Sequence, residues 1–447
     1  MKLVKSLLLG SAAGLVAVAG ASAADLGVKK PTAVEYVKTC PQYGAGFFVV
    51  PGTTSCLKII GRVRADYIFN TFGRNTGTAG GVSGRSNDRT NFRVRGYVGY
   101  DHRTATEYGL LRTYVRGFIG RDNANAYSPV IEYAFIQFGG LTAGRITPVF
   151  EHGYANLYNG SNAFGGFSDI SYINSLGYTF QFGGGFSATV ALDSANERVV
   201  GVGYTGTRTT NNPITNVVTG PDARTFDTGA QGGARMPDIV ASLDYAGAWG
   251  SVKLAGALHE VNSAALGDRS SLNAAGNIVI DSGNRTSQNK IGFAVTAATK
   301  INLPMISAGS NVWLNGTYTD GAISYAGFGS TAVIGGVSNS FQDAMVVGTS
   351  LRLTRAWALS GGLEVFATPT IRAGLYGTYA SIDRHGSGNN IDTYSVWGQV
   401  AWLPVSGFQI GGEIGYVGAR YGSAFAVANA GRARDHWTGR LRFQRDF

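Results

Sequence analysis

Six arginines, Arg62, Arg64, Arg93, Arg95, Arg112 and Arg116, carry the most visible chemistry of this chain, and that chemistry is electrostatic. They fall in three consecutive stretches that alternate polar and apolar residues, and in each stretch they share the polar side. Leu57, Ile59, Gly61, Val63, Ala65, Tyr67 and Phe69 oppose Lys58, Ile60, Arg62, Arg64 and Asp66. Phe92, Val94, Gly96, Val98 and Tyr100 oppose Asn91, Arg93, Arg95, Tyr97 and Asp101, and Leu111, Val115 and Ile119 oppose Arg112, Tyr114 and Arg116. Side chains of a strand alternate faces, so neighbouring strands about 4.8 Å apart would join these arginines into one basic wall. Such a wall attracts anions and sets a field across a narrow passage. Other chemistries find less support. His102, His152, His259, His385 and His436 have no Cys or His partner at ligand spacing, so neither a metal nor a cofactor is expected. A hydrolase would need a Ser/His or Asp/His constellation. His259 and His436 are the only strand-borne candidates, and the chain is not expected to be an enzyme.

The elements that position the arginines follow from composition. Charged residues are 14% of the 447 residues, against about 25% in ordinary soluble chains, and glycine reaches 66. Mean hydropathy is only +0.02. Alternating lipid-facing and water-facing strands average to such values. A secreted β-sandwich or β-helix is the soluble alternative, and the lack of a fixed short repeat counts against the β-helix. Residues 1–23 read as a signal peptide: Met1-Lys-Leu-Val-Lys5 is basic, Ser6 to Gly20 apolar and small, and Ala21-Ser-Ala23 a cleavage site. No later segment approaches the roughly 18 apolar residues of a spanning helix, so the exported chain would cross a membrane only as a closed barrel. The arginines then belong in its lumen, because a charge on the lipid face at mid-membrane costs about 2–4 kcal/mol.

Connections alternate in length. Long polar ones are centred at 70–88, 120–129, 147–171, 194–237, 261–288, 321–341, 383–391 and 419–434. Short ones lie near His102–Thr106, Gly139-Gly140, Gly183–Gly185, Ala246–Gly250, Ile301–Ser310, Arg355–Ala367 and Leu403–Ser406. This rhythm predicts an all-β, antiparallel transmembrane barrel of sixteen strands over 57–447, preceded by a periplasmic segment, 24–56, that leads into it. Eighteen is the competing count, since Arg198–Tyr204 reads as a further strand and 345–367 divides poorly. Either number leaves an aqueous channel. Cys40 and Cys56 are the only cysteines, and in an exported chain one disulfide is expected, worth about 3 kcal/mol.

Several blocks, taken in order, resemble the alphaproteobacterial general diffusion porins over nearly the whole chain. They are Glu35-Tyr-Val-Lys-Thr-Cys40, Tyr43-Gly-Ala-Gly46, Pro51-Gly-Thr-Thr-Ser-Cys56-Leu57, Thr106-Glu-Tyr-Gly109 and Tyr133-Ala-Phe-Ile-Gln-Phe138. Met236-Pro-Asp-Ile239 with Ala248-Trp-Gly250, Lys300-Ile-Asn-Leu-Pro304 and Arg442-Phe-Gln-Arg-Asp-Phe447 complete the set. The resemblance implies a homotrimer of outer-membrane barrels, each with its own pore, set among lipid and lipopolysaccharide. It implies a third loop, Thr147 to Ser171, folded inward with Glu151, His152 and Asp169, and a final Phe447 that the barrel-assembly machinery reads. Arg440 and Arg442 of the last strand would extend the basic wall on closure. The expected function is passive diffusion of small hydrophilic solutes and ions, with no nucleic-acid partner. A substrate-specific sugar or anion channel of 16–18 strands is the alternative. It would need a row of lumen aromatics, for which Tyr97 and Tyr114 are few.

Overall fold

The computed structural model describes residues 38–70, 90–122, 127–154, 156–158, 172–212, 217–226, 230–273, 275, 277–284, 287–334, 337–383, 390–422 and 434–447. The expected signal peptide, 1–23, lies outside them. Sixteen antiparallel strands form one closed barrel. The first eight are β1 (Cys56–Asn70), β2 (Thr90–Thr106), β3 (Gly109–Asp122), β4 (Ser128–Phe138), β5 (Leu141–Ile146), β6 (Ile173–Gly183), β7 (Phe186–Asp193) and β8 (Asp238–Gly247). The second eight are β9 (Gly250–Ser263), β10 (Gln288–Asn302), β11 (Asn311–Asp320), β12 (Arg355–Thr368), β13 (Ile371–Asp383), β14 (Ile391–Val405), β15 (Phe408–Tyr421) and β16 (Asp435–Asp446). Each strand pairs with its predecessor, and β16 pairs with β1, placing Arg62 opposite Asp446 and Asn70 opposite Thr438. Closure leaves no strand edge, so each peptide group in the wall finds a partner.

The alternation expected from sequence sets the two faces. On β1, Ile59 and Val63 are more than half exposed on the outside, whereas Asp66 is 2% exposed within. Aromatic pairs gird both rims. Tyr67–Phe92, Trp357–Tyr379 and Tyr416–Trp437 lie toward the rim of long connections, and Phe186–Tyr245 and Tyr108–Phe138 toward the rim of short turns. Such belts suit the two interfaces of a bilayer.

Two expectations need correction. The stretch Arg355–Ala367 is barrel strand β12 rather than a connection, and the short turn falls at 369–370. Its Gly361-Gly362 pair lies mid-strand. A Cβ on Gly362 would come 2.5 Å from Tyr376 and 2.7 Å from Trp313, so the glycine makes room for interior rings. The first short turn is at 107–108, because β2 continues through Thr106. The extra strand suspected at Arg198–Tyr204 exists as Val202–Asn212, yet it belongs to the loops. It pairs with Val217–Phe226, Ile278–Asp281 and Ala344–Val347, outside the barrel sheet. The count is therefore sixteen.

Before β1, Cys40 is disulfide-bonded to Cys56, and Phe48–Val49 pairs with Leu57 and Cys56. Phe47 and Tyr43 of this segment lie under the Arg103 guanidinium, 4.7 and 5.6 Å from their ring centres. The segment thus lies against the interior face at the short-turn rim. Serine at both cysteines should leave the barrel intact, since sheet closure holds it, while removing about 3 kcal/mol of restraint from residues 40–56. Heat-modifiability on gels and protease sensitivity of that loop would check both halves.

At the seam, the Phe447 amide donates to the Gly61 carbonyl (3.0 Å) and the Gly61 amide to the Phe447 carbonyl (2.8 Å). The Phe447 ring lies over Gly61, where a Cβ would sit 2.2 Å from it. Gly61→Val should displace that ring and destabilise closure by about 1–3 kcal/mol. A lower temperature for losing the folded gel band would show this, and an unchanged temperature would contradict it.

Candidate functional site

The six sequence-predicted arginines all point into the barrel, but they do not stand as an unopposed row. Arg62 is bonded to Asp446, and Arg93 is bidentate to Asp122 at 2.6 and 2.7 Å. Arg112 and Arg103 both clasp Asp101 at 2.8–3.1 Å. Arg116 meets Glu132 at 2.8 Å, and Arg64 lies 3.8 Å from Asp66. Closure brings in Arg442, bidentate to Asp66 at 2.7 and 3.0 Å, and Arg440 at 3.4 Å. Asp66 and Asp101 were visible by alternation. Glu132 was not, because a bulge at that residue breaks the alternation of β4 between Arg116↔Tyr133 and Gly117↔Ile131.

Beneath the guanidinium groups lies an aromatic floor. Tyr97 underlies Arg62 and Arg64 at 5.5 and 5.4 Å, and Phe118 underlies Arg95 at 4.5 Å. Tyr114 and Phe135 underlie Arg112, and Tyr133 underlies Arg116 at 4.8 Å. Cation–π attraction adds to the ion pairs in fixing these side chains.

The third loop, 147–172, does fold into the barrel over its described residues. Phe150 packs edge-on against Tyr325 with ring centres 4.7 Å apart. Tyr154 shares a hydrogen bond with Ser251 on β9 (2.9 Å). His152 lies against Trp313 and Tyr154. Burial, with the Lys253 ammonium nearby, holds the His152 pKa down to about 4, so at neutral pH it adds no charge. Glu151 lies beside it, half-buried. Asp169 is outside the described residues.

Tyr158 anchors the described stretch 156–158 of this loop, and the sequence analysis did not single it out. Its amide donates to Glu413 (2.7 Å), and its carbonyl accepts from Arg440 and Arg442. Its ring lies 4.4 Å under Arg442. Gly411 on β15 provides the seat, since a Cβ there would be 2.1 Å from the tyrosine hydroxyl. The loop therefore spans the interior from β5 to the edge of the arginine wall.

A second inward loop was unforeseen. The sixth connection, expected as a polar loop at 321–341, runs over 321–354, and its Ile323, Phe328, Ile334 and Phe341 are fully buried. They pack on Trp313, Ala356, Ala358, Tyr376, Ile391 and Trp397, the inward residues of β11–β14. One side of the interior is thus apolar and covered, while the opposite side carries the arginines. A buried polar node locks this loop to the wall. The Asp343 carboxylate accepts from the amides of Val200 (2.8 Å) and Ile323 (3.0 Å). His259 Nδ1 meets Asp238 at 2.8 Å, and its Nε2 faces Asp343 at 3.7 Å. Tyr325 donates to Asp238 (2.7 Å) beneath the Arg198 guanidinium. Both His259 nitrogens face carboxylates, which leaves neither to activate a nucleophile.

A closed sixteen-strand barrel with loops folded into a charged lumen is a channel architecture, and comparison with known proteins gives its family. The sequence profile described as "Porin subfamily" matches residues 25–439. The chain belongs to this porin family. It is 30% identical to the porin Omp2b of Brucella suis over 459 residues, covering 99% of each chain, and equally identical to that of Brucella melitensis over 464 residues. Among solved structures, the outer membrane channel DcaP of Acinetobacter baumannii superposes with a TM-score of 0.59 at 16% identity, covering 88% of this chain and 97% of that one. OmpF of Salmonella typhi, solved with daunomycin, gives 0.51 at 10% identity, covering 88% and 98%. These likenesses bear on the fold alone. The porin is a passive diffusion channel, a multi-pass β-barrel of the outer membrane. Its long connections accordingly face outside and its short turns the periplasm.

Asp343→Ala should loosen the sixth loop of this porin, because it removes two charge-assisted hydrogen bonds of about 1.5–3 kcal/mol each. Higher and noisier single-channel conductance, with faster proteolysis within 321–354, is the expected result. Conductance identical to the parent would mean that the node does not hold the loop.

Proposed function

We propose that this porin screens small hydrophilic solutes by size, through its third and sixth loops, and by charge, through the wall of Arg62, Arg64, Arg93, Arg95, Arg112 and Arg116. The observation that carries this reading is the asymmetry of the lumen, in which arginines on β1–β3 and β16 face a side covered by the sixth loop. Residues 1–23 are a signal peptide removed on export, and 24–56 lead into the barrel of 57–447. Glu151, His152 and Asp169 belong to the constriction loop, with His152 acting as a neutral group. Phe447 serves as an assembly signal for the barrel-assembly machinery. The barrel works as a homotrimer bounded by lipid and lipopolysaccharide. Liposome swelling against a sugar size series tests the solute reading, since a diffusion pore sorts by size and a specific channel favours one sugar.

Replacing Arg93 and Arg95 by glutamine should shift ion preference toward cations. The change removes two positive charges and releases the Asp122 carboxylate from its partner. One charge acting over 10 Å in water is worth about 0.4 kcal/mol, so a change of roughly twofold or more in permeability ratio is expected at low salt. It should shrink as the Debye length falls below about 10 Å, above 0.1 M. An unchanged reversal potential in a low-salt gradient would remove these side chains from the conducting path.

A further inference from the structure

Two arginines of the wall face each other, and among the described residues no carboxylate stands between them. Arg64 and Arg95 are direct register partners on β1 and β2, on the interior face. Like charges directly opposite on one sheet face destabilise the pair. Neighbouring arginines avoid this by holding an acid each, Arg62 with Asp446 and Arg93 with Asp122. At the Arg64–Arg95 level the flanking register positions are Gln444 on β16 and Gly120 on β3, and neither carries a charge.

The local contacts leave both guanidinium groups underused. Gly120 lets Arg95 lie across β3, since a Cβ there would come 3.0 Å from Arg95 Cγ. The guanidinium then rests on Phe118, and among the described residues no carboxylate lies within ion-pair distance of it. Among the described residues the carboxylate paired with Arg64 is Asp66, 3.8 Å away and already bidentate to Arg442. Arg64 Nε is buried and makes no hydrogen bond. The Gln444 side-chain amide is committed to Asp446 at 2.9 Å. Arg93, Arg440 and Arg442 stand nearby, so among the described residues five arginines surround three carboxylates, Asp66, Asp122 and Glu413, the register partner of Arg440.

We infer that Arg64 and Arg95 form the two jaws of a subsite for a tetrahedral oxyanion carrying two negative charges, free phosphate or the phosphate group of a small solute. The inference deepens the reading of the chain as a charge-screened pore and rests on it. A guanidinium fork matches phosphate oxygens two at a time, and two forks on adjacent strands offer both sides of one anion. Bound there, the anion replaces the repulsion between the jaws with two attractive pairs. The site sits on a conducting surface, so binding is weak enough to release, and the pore enriches phosphorylated solutes.

Planar-bilayer recording of the full-length porin in KCl tests this, with potassium phosphate, glycerol phosphate or acetate added at constant ionic strength and pH 8. Both phosphates should reduce the chloride-carried current in a saturable way, and acetate should not. Block by inorganic phosphate alone would identify the free ion as the ligand, and block by both would identify the phosphate group. Arg95→Gln and Arg64→Gln, each checked for a folded gel band and KCl conductance, should raise the half-blocking concentration about tenfold, as loss of one charge-assisted contact implies. Equal effects of phosphate and acetate on the parent, or an unaltered block in both variants, would overturn the subsite. An open KCl conductance without saturable block would do so while leaving the porin reading standing, whereas absence of conductance would sink both.

Discussion

Hydrocarbon offers no hydrogen-bond partner to a peptide group, and this constraint governs the whole molecule. Each unpaired N–H or C=O in the bilayer costs several kcal/mol, so the sheet must close on itself. Closure happens between β16 and β1, and Phe447 with Gly61 forms the last reciprocal pair of backbone bonds. The glycine is needed because the terminal ring occupies the space a side chain would take. The same constraint explains why the hairpin of Ala344–Val347 and Ser350–Leu353 stays out of the wall. The sixteen wall strands satisfy one another in a closed ring, so the hairpin joins a separate sheet among the loops.

Closure also assembles the charged wall. Asp66 and Arg442 are 376 residues apart in sequence and 2.7 Å apart in space. Ion pairs on the wall are partly buried, where leaving one partner alone would be costly, and this gives the arginines fixed positions rather than a mobile cloud. The aromatic floor beneath them serves the same end. Tyr158 links this wall to the third loop by placing its carbonyl between Arg440 and Arg442 and its amide on Glu413. The loop's position therefore depends on two buried arginines, Arg440 and Arg442, at the edge of the wall that faces the solute.

The opposite side of the lumen uses another device. Apolar and aromatic residues of β11–β14 would be wet in an open channel, and the sixth loop covers them. Burial of that loop takes Asp238, Asp343, His259 and Arg198 out of water, each 0–2% exposed. Buried charges are tolerated only when paired and hydrogen-bonded, which makes the node a strong selector of one loop position.

Face and fold class were legible from the chain alone, because strand alternation is local and one side of the wall must suit lipid. Arg62, Arg64, Arg93, Arg95, Arg112 and Arg116 could be assigned to the interior on that ground, and the strand number came from the rhythm of long and short connections. The stretch Arg355–Ala367 misled, since a glycine that admits a neighbouring ring, such as Gly362, looks the same in sequence as one that turns. The charge balance of the wall was hidden for a different reason. Glu132 escapes the alternation through a bulge, and Asp446 and Asp122 meet their arginines only across strand pairs whose register the chain does not spell out. The sixth loop was least legible of all. Its small and polar residues gave no period, and its burial depends on apolar interior faces from four strands that only the closed barrel brings together.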